Sequence, residues 1–153
     1  DLGLGPALKA LTEDFTARTQ IESDFSTAVF RNRLDEEAKI ALYRVAQEAL
    51  TNVERRADAT EIHVSIRGDR RGAILTIRDN GQGLAKTQTQ ESSTPLGGMG
   101  LRNMQERMEQ LDGALLINSN KNGTTIEARV PLSHMLPPEA DSPAKSANLE
   151  DAN

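Results

Sequence analysis

Ala73-Ile74-Leu75-Thr76-Ile77-Arg78-Asp79-Asn80-Gly81-Gln82-Gly83 is the stretch on which the fold turns. Ala73, Leu75 and Ile77 alternate with Ile74, Thr76 and Arg78, the period of two that marks a half-buried strand. The strand ends on a carboxylate followed by two glycines, which let the backbone approach a flat ligand while Asp79 accepts a hydrogen bond, as from an adenine amino group. Asn-Gly is also the commonest of turn signals, and a plain turn accounts for the same residues.

Upstream, Ile62, Val64 and Ile66 alternate with His63, Ser65 and Arg67, and Asp69-Arg70-Arg71-Gly72 reads as the hairpin turn joining the two strands. Before them lies the longest helix, from Ala38 to about Arg56, with Leu42, Val45, Ala46, Ala49 and Val53 on one stripe. Asp35-Glu36-Glu37 supplies its N-cap and acidic first turn. Ile21 to Val29 reads as a strand. Pro6 to Phe15 reads as a short amphipathic helix through Leu8, Leu11 and Phe15.

Downstream, Gly81 to Gly98 is polar and rich in glycine, and most of it reads as a mobile loop. Leu101, Met104, Met108 and Leu111 mark a second core-facing helix, which Gly113 suits as a C-terminal stop. Two strands, about Ala114 to Ser119 and Thr124 to Val130, flank Asn120-Lys121-Asn122-Gly123. Ser133 to Asn153 shifts to Pro, Ala, Ser and acid and reads as a disordered tail. The order predicts an α/β fold, a two-layer α+β sandwich with one mixed sheet and helices packed on one face.

Composition bounds the function. The 153 residues suffice for one domain, and a net charge of -5 argues against a general nucleic-acid binder. No run approaches the roughly 20 apolar residues that span a bilayer, and no signal peptide is visible. Without cysteine there is neither a thiolate nucleophile nor a cysteine-rich zinc site, and a cytoplasmic location is permitted.

Two further segments carry chemistry. Gln47-Glu48-Ala49-Leu50-Thr51-Asn52 sets Glu48 and Asn52 on the same side of the long helix, where both offer oxygen ligands of the kind Mg²⁺ prefers. Arg55 follows one turn on, where a phosphate would pair with it. A solvated helix face explains the same residues. Gly97-Gly98-Met99-Gly100-Leu101-Arg102-Asn103 leads from the polar loop into a helix and aims free N–H groups at phosphate, or serves as a hinge. It is not a dinucleotide-binding fingerprint, because Asn103 stands where the third glycine belongs, and no lysine follows the glycines as a phosphate-binding P-loop requires.

In this order the segments resemble the ATP-binding catalytic domain of two-component sensor histidine kinases, within the superfamily of gyrase, histidine kinase and mismatch-repair ATPases. Gln47 to Asn52 resembles the asparagine box, Asp79 to Gly83 the first glycine box, Gly98 to Leu101 the second, and Gly123-Thr124 the last glycine-threonine pair. The match covers roughly Ile21 to Leu132. The wording Gln-Glu-Ala-Leu-Thr-Asn-Val and Gly-Leu-Arg-Asn-Met-Gln-Glu-Arg-Met is similar to the nitrate-sensor and degradation-enzyme-sensor group.

The resemblance implies a Bergerat-type ATP-binding fold, with ATP and Mg²⁺ as cofactors. Asn52 would hold Mg²⁺ and phosphate, Glu48 would orient the metal shell, and Asp79 would bind the adenine amino group. Gly81 and Gly83 would admit the base, Gly98, Gly100 and Leu101 would close over the phosphates, and Thr124 would support Asp79. Arg56 stands where the family usually has histidine or tyrosine.

Leu2-Gly3-Leu4 and Pro6-Ala7-Leu8 resemble the end of a dimerisation helix, so residues 1–20 are expected to be that end and a linker, 21–132 the catalytic domain and 133–153 the tail. The expected partners are the dimerisation and phosphoacceptor domain of the same bacterial kinase and, indirectly, a response regulator. No nucleic-acid or membrane contact by this stretch is expected, and membrane anchorage of the parent protein is left open. A nucleotide-gated module without phosphotransfer, or an anti-sigma-factor serine kinase, is the alternative. Neither His63 nor His134 has the setting of a phosphoacceptor, and both are expected on the exposed surface.

Overall fold

The computed structural model describes residues 3–28, 33–82 and 99–137. Helix α1 (Leu4–Thr19) is followed by β1 (Glu22–Thr27), β2 (Arg33–Leu34) and α2 (Glu36–Asn52). A π-helical turn, Val53–Ala57, leads to β3 (Glu61–Asp69) and β4 (Gly72–Asp79). Then come α3 (Met99–Gln110), β5 (Ala114–Asn120), β6 (Gly123–Pro131), a 3₁₀ turn Leu132–His134 and β7 (Met135–Leu136). The first five longer strands form one sheet in the order β1-β3-β4-β6-β5, with β1 parallel to β3 and the other neighbours antiparallel.

The period-two pattern decides which face the helices cover. Ile62, Val64 and Ile66 on β3, Ala73, Leu75 and Ile77 on β4, and Ile126, Ala128 and Val130 on β6 are all buried in one core. Ser65, Thr76 and Glu127 alternate onto the other face. The helices α1, α2 and α3 contribute Leu8, Phe15, Leu42, Val45, Ala46, Leu101, Met104 and Met108 to that core, which makes the expected mixed sheet with helices on one face. Among the described residues no helix is long and apolar enough to cross a membrane.

Local chemistry explains the element ends. Asp35 caps α2, its Oδ1 accepting from the Ala38 N–H at 2.8 Å, with Glu36 and Glu37 in the first turn. Asp69 Oδ1 accepts from the Arg71 and Gly72 N–H groups at 2.8 and 3.2 Å and closes the β3–β4 hairpin at the predicted turn.

Four features depart from the sequence reading. The helix over Pro6 to Phe15 extends to Thr19, and Leu4, Leu8 and Phe15 pack into the same core as the sheet, so packing does not break between residues 20 and 21. The left-handed residue that ends α3 is Asp112 at φ 62°, not Gly113, whose absent side chain instead makes room for the Arg129 carbonyl of β6. The tail does not begin at Ser133: β7 pairs with β2, and the Asp35 N–H donates to the His134 carbonyl at 2.9 Å.

His134, finally, is not an exposed surface residue. Its side chain is 15% exposed, with Nδ1 2.8 Å from Asp35 Oδ2 and Nε2 3.1 Å from the Leu111 carbonyl. His63 is 40% exposed on the open sheet face, with Nδ1 2.8 Å from Asp24 Oδ2, as its place in the alternation predicts.

Candidate nucleotide site

The site is built where the C-terminal ends of α2 and β4 meet β6. Asn52 is the last residue of α2 and only 7% exposed, because the apolar stripe of the helix presses it toward the sheet. Its Nδ2 is buried without a hydrogen-bond partner. Glu48, one turn earlier, lies over the start of α3, where a Cβ on Gly100 would land on its carboxylate. The Glu48 carboxylate and Gly100 thus lie side by side, with Gly100 already inside the helix rather than in the loop before it.

Arg55 is exposed within the π-helical turn, whose i→i+5 spacing breaks the stepping that set it on the Glu48–Asn52 line. Such wide turns interrupt α-helices frequently at functional sites. The Val53 N–H, where α2 gives way to this turn, is shared between the Ala49 and Leu50 carbonyls.

Asp79 ends β4 at 7% exposure, directly across the ladder from Thr124 of β6. Its Oδ1 accepts from the Gly81 N–H at 2.8 Å, and the Thr124 N–H also donates to the carboxylate. Burial pushes its pKa above the usual carboxylate range, and the two backbone N–H groups pull it partly back. Thr124 is itself buried, and its hydroxyl lies 2.9 Å from Ser119 Oγ. Gly123, at φ 139°, is required here: a Cβ would strike the Asp79 carbonyl and crowd the Asn80 backbone.

Asn52, Asp79 and Thr124 line one narrow cavity with Ala49, Val53, Ile77 and Ile126, so three polar groups converge between apolar walls. A wider groove between α1 and α2, lined by Ala7, Ile40 and Tyr43 among others, holds none of the predicted site residues. Leu101 is 1% exposed in the core and has only its backbone to offer a ligand. Gly83, Gly98, the rest of the predicted loop over 81–98 beyond Gln82 and the side chain of Arg56 lie outside the described residues.

Sequence reasoning passed over Asn80 as turn chemistry, although its side chain makes three hydrogen bonds to Thr60 and Glu61. Ser119 was missed for lack of any motif. The signal for Asn80 was the choice of asparagine, whose side chain carries both donor and acceptor, ahead of glycine.

Residues 37–134 match the family described as histidine kinase-, DNA gyrase B- and HSP90-like ATPase. Sensor histidine kinase MctS of Rhizobium johnstonii is 47% identical over 133 residues, 87% of this chain and 28% of that protein. The signal transduction histidine-protein kinase/phosphatase DegS of Brevibacillus brevis is 38% identical over 134 residues, again 87% of this chain and 33% of that protein. The chain therefore spans only about a third of the length of these relatives. Among solved structures, the histidine kinase domain of the Erythrobacter litoralis EL346 blue-light activated kinase superposes with a TM-score of 0.67 at 19% identity, covering 86% of this chain and 62% of that one, and supports the fold alone. With the family's match over the cavity residues just described, this chain belongs to the histidine kinase-, DNA gyrase B- and HSP90-like ATPases, as an ATP-binding domain.

Proposed function

We propose that this chain is the catalytic domain of a sensor histidine kinase, transferring the γ-phosphoryl of Mg-ATP to a histidine on a dimerisation domain outside this sequence, for onward transfer to a response regulator. The observation that carries the reading is a buried carboxylate, Asp79, sharing one apolar-walled cavity with an orphaned amide donor, Asn52 Nδ2. Relatives named sensor histidine kinase supply the reaction class.

In this reading Asp79 accepts from the adenine amino group, Gly81 and Gly83 keep the edge of the base clear, and the Thr124 N–H steadies the carboxylate. Asn52 Nδ2 finds its missing acceptor in a phosphate oxygen. The oxygens of Asn52 and Glu48 are hard donors and fit Mg²⁺, which would neutralise phosphate charge when bound. The backbone N–H groups of Gly100 and Leu101, in the first turn of α3, would donate to phosphate, the part proposed for Gly98 as well, and exposed Arg55 is available as a further cation.

Phosphoryl transfer asks for alignment and charge compensation rather than covalent catalysis, which suits a site built from a carboxylate, an amide and backbone N–H groups. His63 lies in β3 and His134 in a 3₁₀ turn, followed by Val64 and Met135 rather than by an acid, so neither has the setting of an acceptor. Residues 1–20 would lead in from the dimerisation helix, and α1 joins the catalytic core.

Isothermal titration with ADP and Mg²⁺ should give saturable binding. Radiolabelled γ-phosphate should stay off this chain and appear on an added dimerisation domain of the same kinase. No heat at millimolar nucleotide, or acid-labile label on His63 or His134, would contradict the reading.

A further inference from the structure

Asn80 lies between the carboxylate that would read the base and the glycine that steadies it, yet its own side chain points elsewhere. Oδ1 accepts from the Thr60 N–H at 2.9 Å and the Glu61 N–H at 3.1 Å, and Nδ2 donates to Thr60 Oγ1 at 2.9 Å. Two residues on, Gln82 Nε2 donates to Asp58 Oδ2 at 3.1 Å. An isolated Asn-Gly turn needs only its own backbone. Here two side chains of one turn are committed to another segment.

That segment is the connection from the π-helical turn behind Asn52 to the start of β3, and it bends sharply at Asp58, φ 54°. The brace therefore ties the end of β4 to the exit of the helix that carries Asn52. Its effect on Asp79 runs through one peptide: the Gly81 N–H that holds Asp79 Oδ1 belongs to the unit just after Asn80. Fixing Asn80 against Thr60 and Glu61 fixes the direction of that N–H. All three Asn80 bonds are exposed, so they are worth little to global stability and act mainly on local geometry.

We propose that Asn80 is a positioning residue for base recognition: by bracing the Asp79–Gly81 turn against Thr60 and Glu61, it holds the Asp79 carboxylate in the one orientation that accepts from the exocyclic amino group of adenine. This rests on the adenine reading of Asp79 and adds to it a residue that does not touch the base.

The test compares ADP with IDP, which carries an oxo group where adenine has its amino group, by isothermal titration of the whole chain. The wild type should prefer ADP. Asn80→Ala should cut the ADP-to-IDP preference by about tenfold, the scale of one well-placed hydrogen bond, mostly through weaker ADP binding. Asn80→Asp should restore it, because a carboxylate accepts from both N–H groups and the Thr60 hydroxyl turns to donate. Thr60→Val, which removes a single acceptor and leaves the backbone bonds, should show a smaller loss.

A purely structural role would weaken both nucleotides equally and leave the ratio unchanged. An unchanged ratio in Asn80→Ala overturns the proposal. Should that variant not fold, an unchanged ratio in Thr60→Val overturns it instead. A wild type without preference for ADP refutes the adenine reading itself, whereas a preference that survives in Asn80→Ala refutes only the role of Asn80.

Discussion

At the β4–β6 end of the cavity, the Asp79 carboxylate already receives the N–H groups of Gly81 and Thr124, whereas at the α2 end Asn52 Nδ2 is buried with no acceptor at all. One end is complete before ligand arrives and the other is not. A satisfied buried carboxylate keeps its direction and so discriminates, while an orphaned buried donor raises the free energy of the empty protein and lowers it again when an acceptor binds. The base end is thus suited to specificity and the phosphate end to coupling binding with stability.

The largest effect expected from this contrast is at the complete end. Asp79→Ala leaves the adenine amino group without its acceptor and should weaken ADP binding by about 3 kcal/mol, roughly a hundredfold. IDP binding should change far less. Titration of both nucleotides checks this, and equal losses for the two would remove the distinction between the ends.

Gly123→Ala should come next, through stability first. A residue other than glycine at φ 139° is strained, and the added Cβ meets the Asp79 carbonyl, so about 2 kcal/mol should be lost in urea unfolding. ADP affinity should fall with it, since any relief of the clash moves the end of β4.

Asn52→Leu tests the incomplete end and has the opposite sign for stability. Replacing an orphaned amide by an apolar group of similar shape should raise unfolding free energy by about 1 kcal/mol while removing the advantage of ATP analogue over adenosine. Urea unfolding and titration with both ligands separate the two effects. A destabilised variant would mean that Nδ2 has a partner in solution and that the contrast is false.

The same contrast marks what the sequence could reveal. Period-two strands such as Ile62 to Ile66 and the stripe from Leu42 to Val53 are local patterns, and they put Asp79, Thr124, Glu48 and Asn52 in the right elements. The π-helical turn is invisible in sequence because tertiary packing, not local propensity, widens the backbone after Asn52. Pairing of β2 with β7 joins residues about a hundred positions apart in strands too short to show a period, which is why a tail was expected where His134 is clasped. Asp112 took the left-handed position because Gly113 was needed one residue later, against Arg129.

The smallest effect concerns a region remote from both ends, and its pH dependence tells stability from recognition. Asp35 Oδ2 and the Leu111 carbonyl are both acceptors, so both His134 nitrogens donate and the ring in this clasp is an imidazolium. Burial works against that charge, but Asp35, Leu111 and Glu37 outweigh it and hold the His134 pKa above its usual value of 6.5. A base whose pKa is higher folded than unfolded stabilises fully below its unfolded pKa and loses that contribution as pH rises through the folded one. Unfolding free energy should therefore fall as pH rises from about 6.5 through the raised pKa of folded His134, by no more than about 1 kcal/mol for a pair partly open to solvent. Asp35→Asn, which still caps α2, should flatten the profile. Adenosine affinity should not follow that fall, because His134 makes no contact with Asp79, whose acceptor role fades in the opposite direction, as pH falls toward its raised pKa. A stability profile that climbs with pH would refute the imidazolium clasp, and adenosine affinity that tracks stability downward would show that the clasp and the base end are one unit.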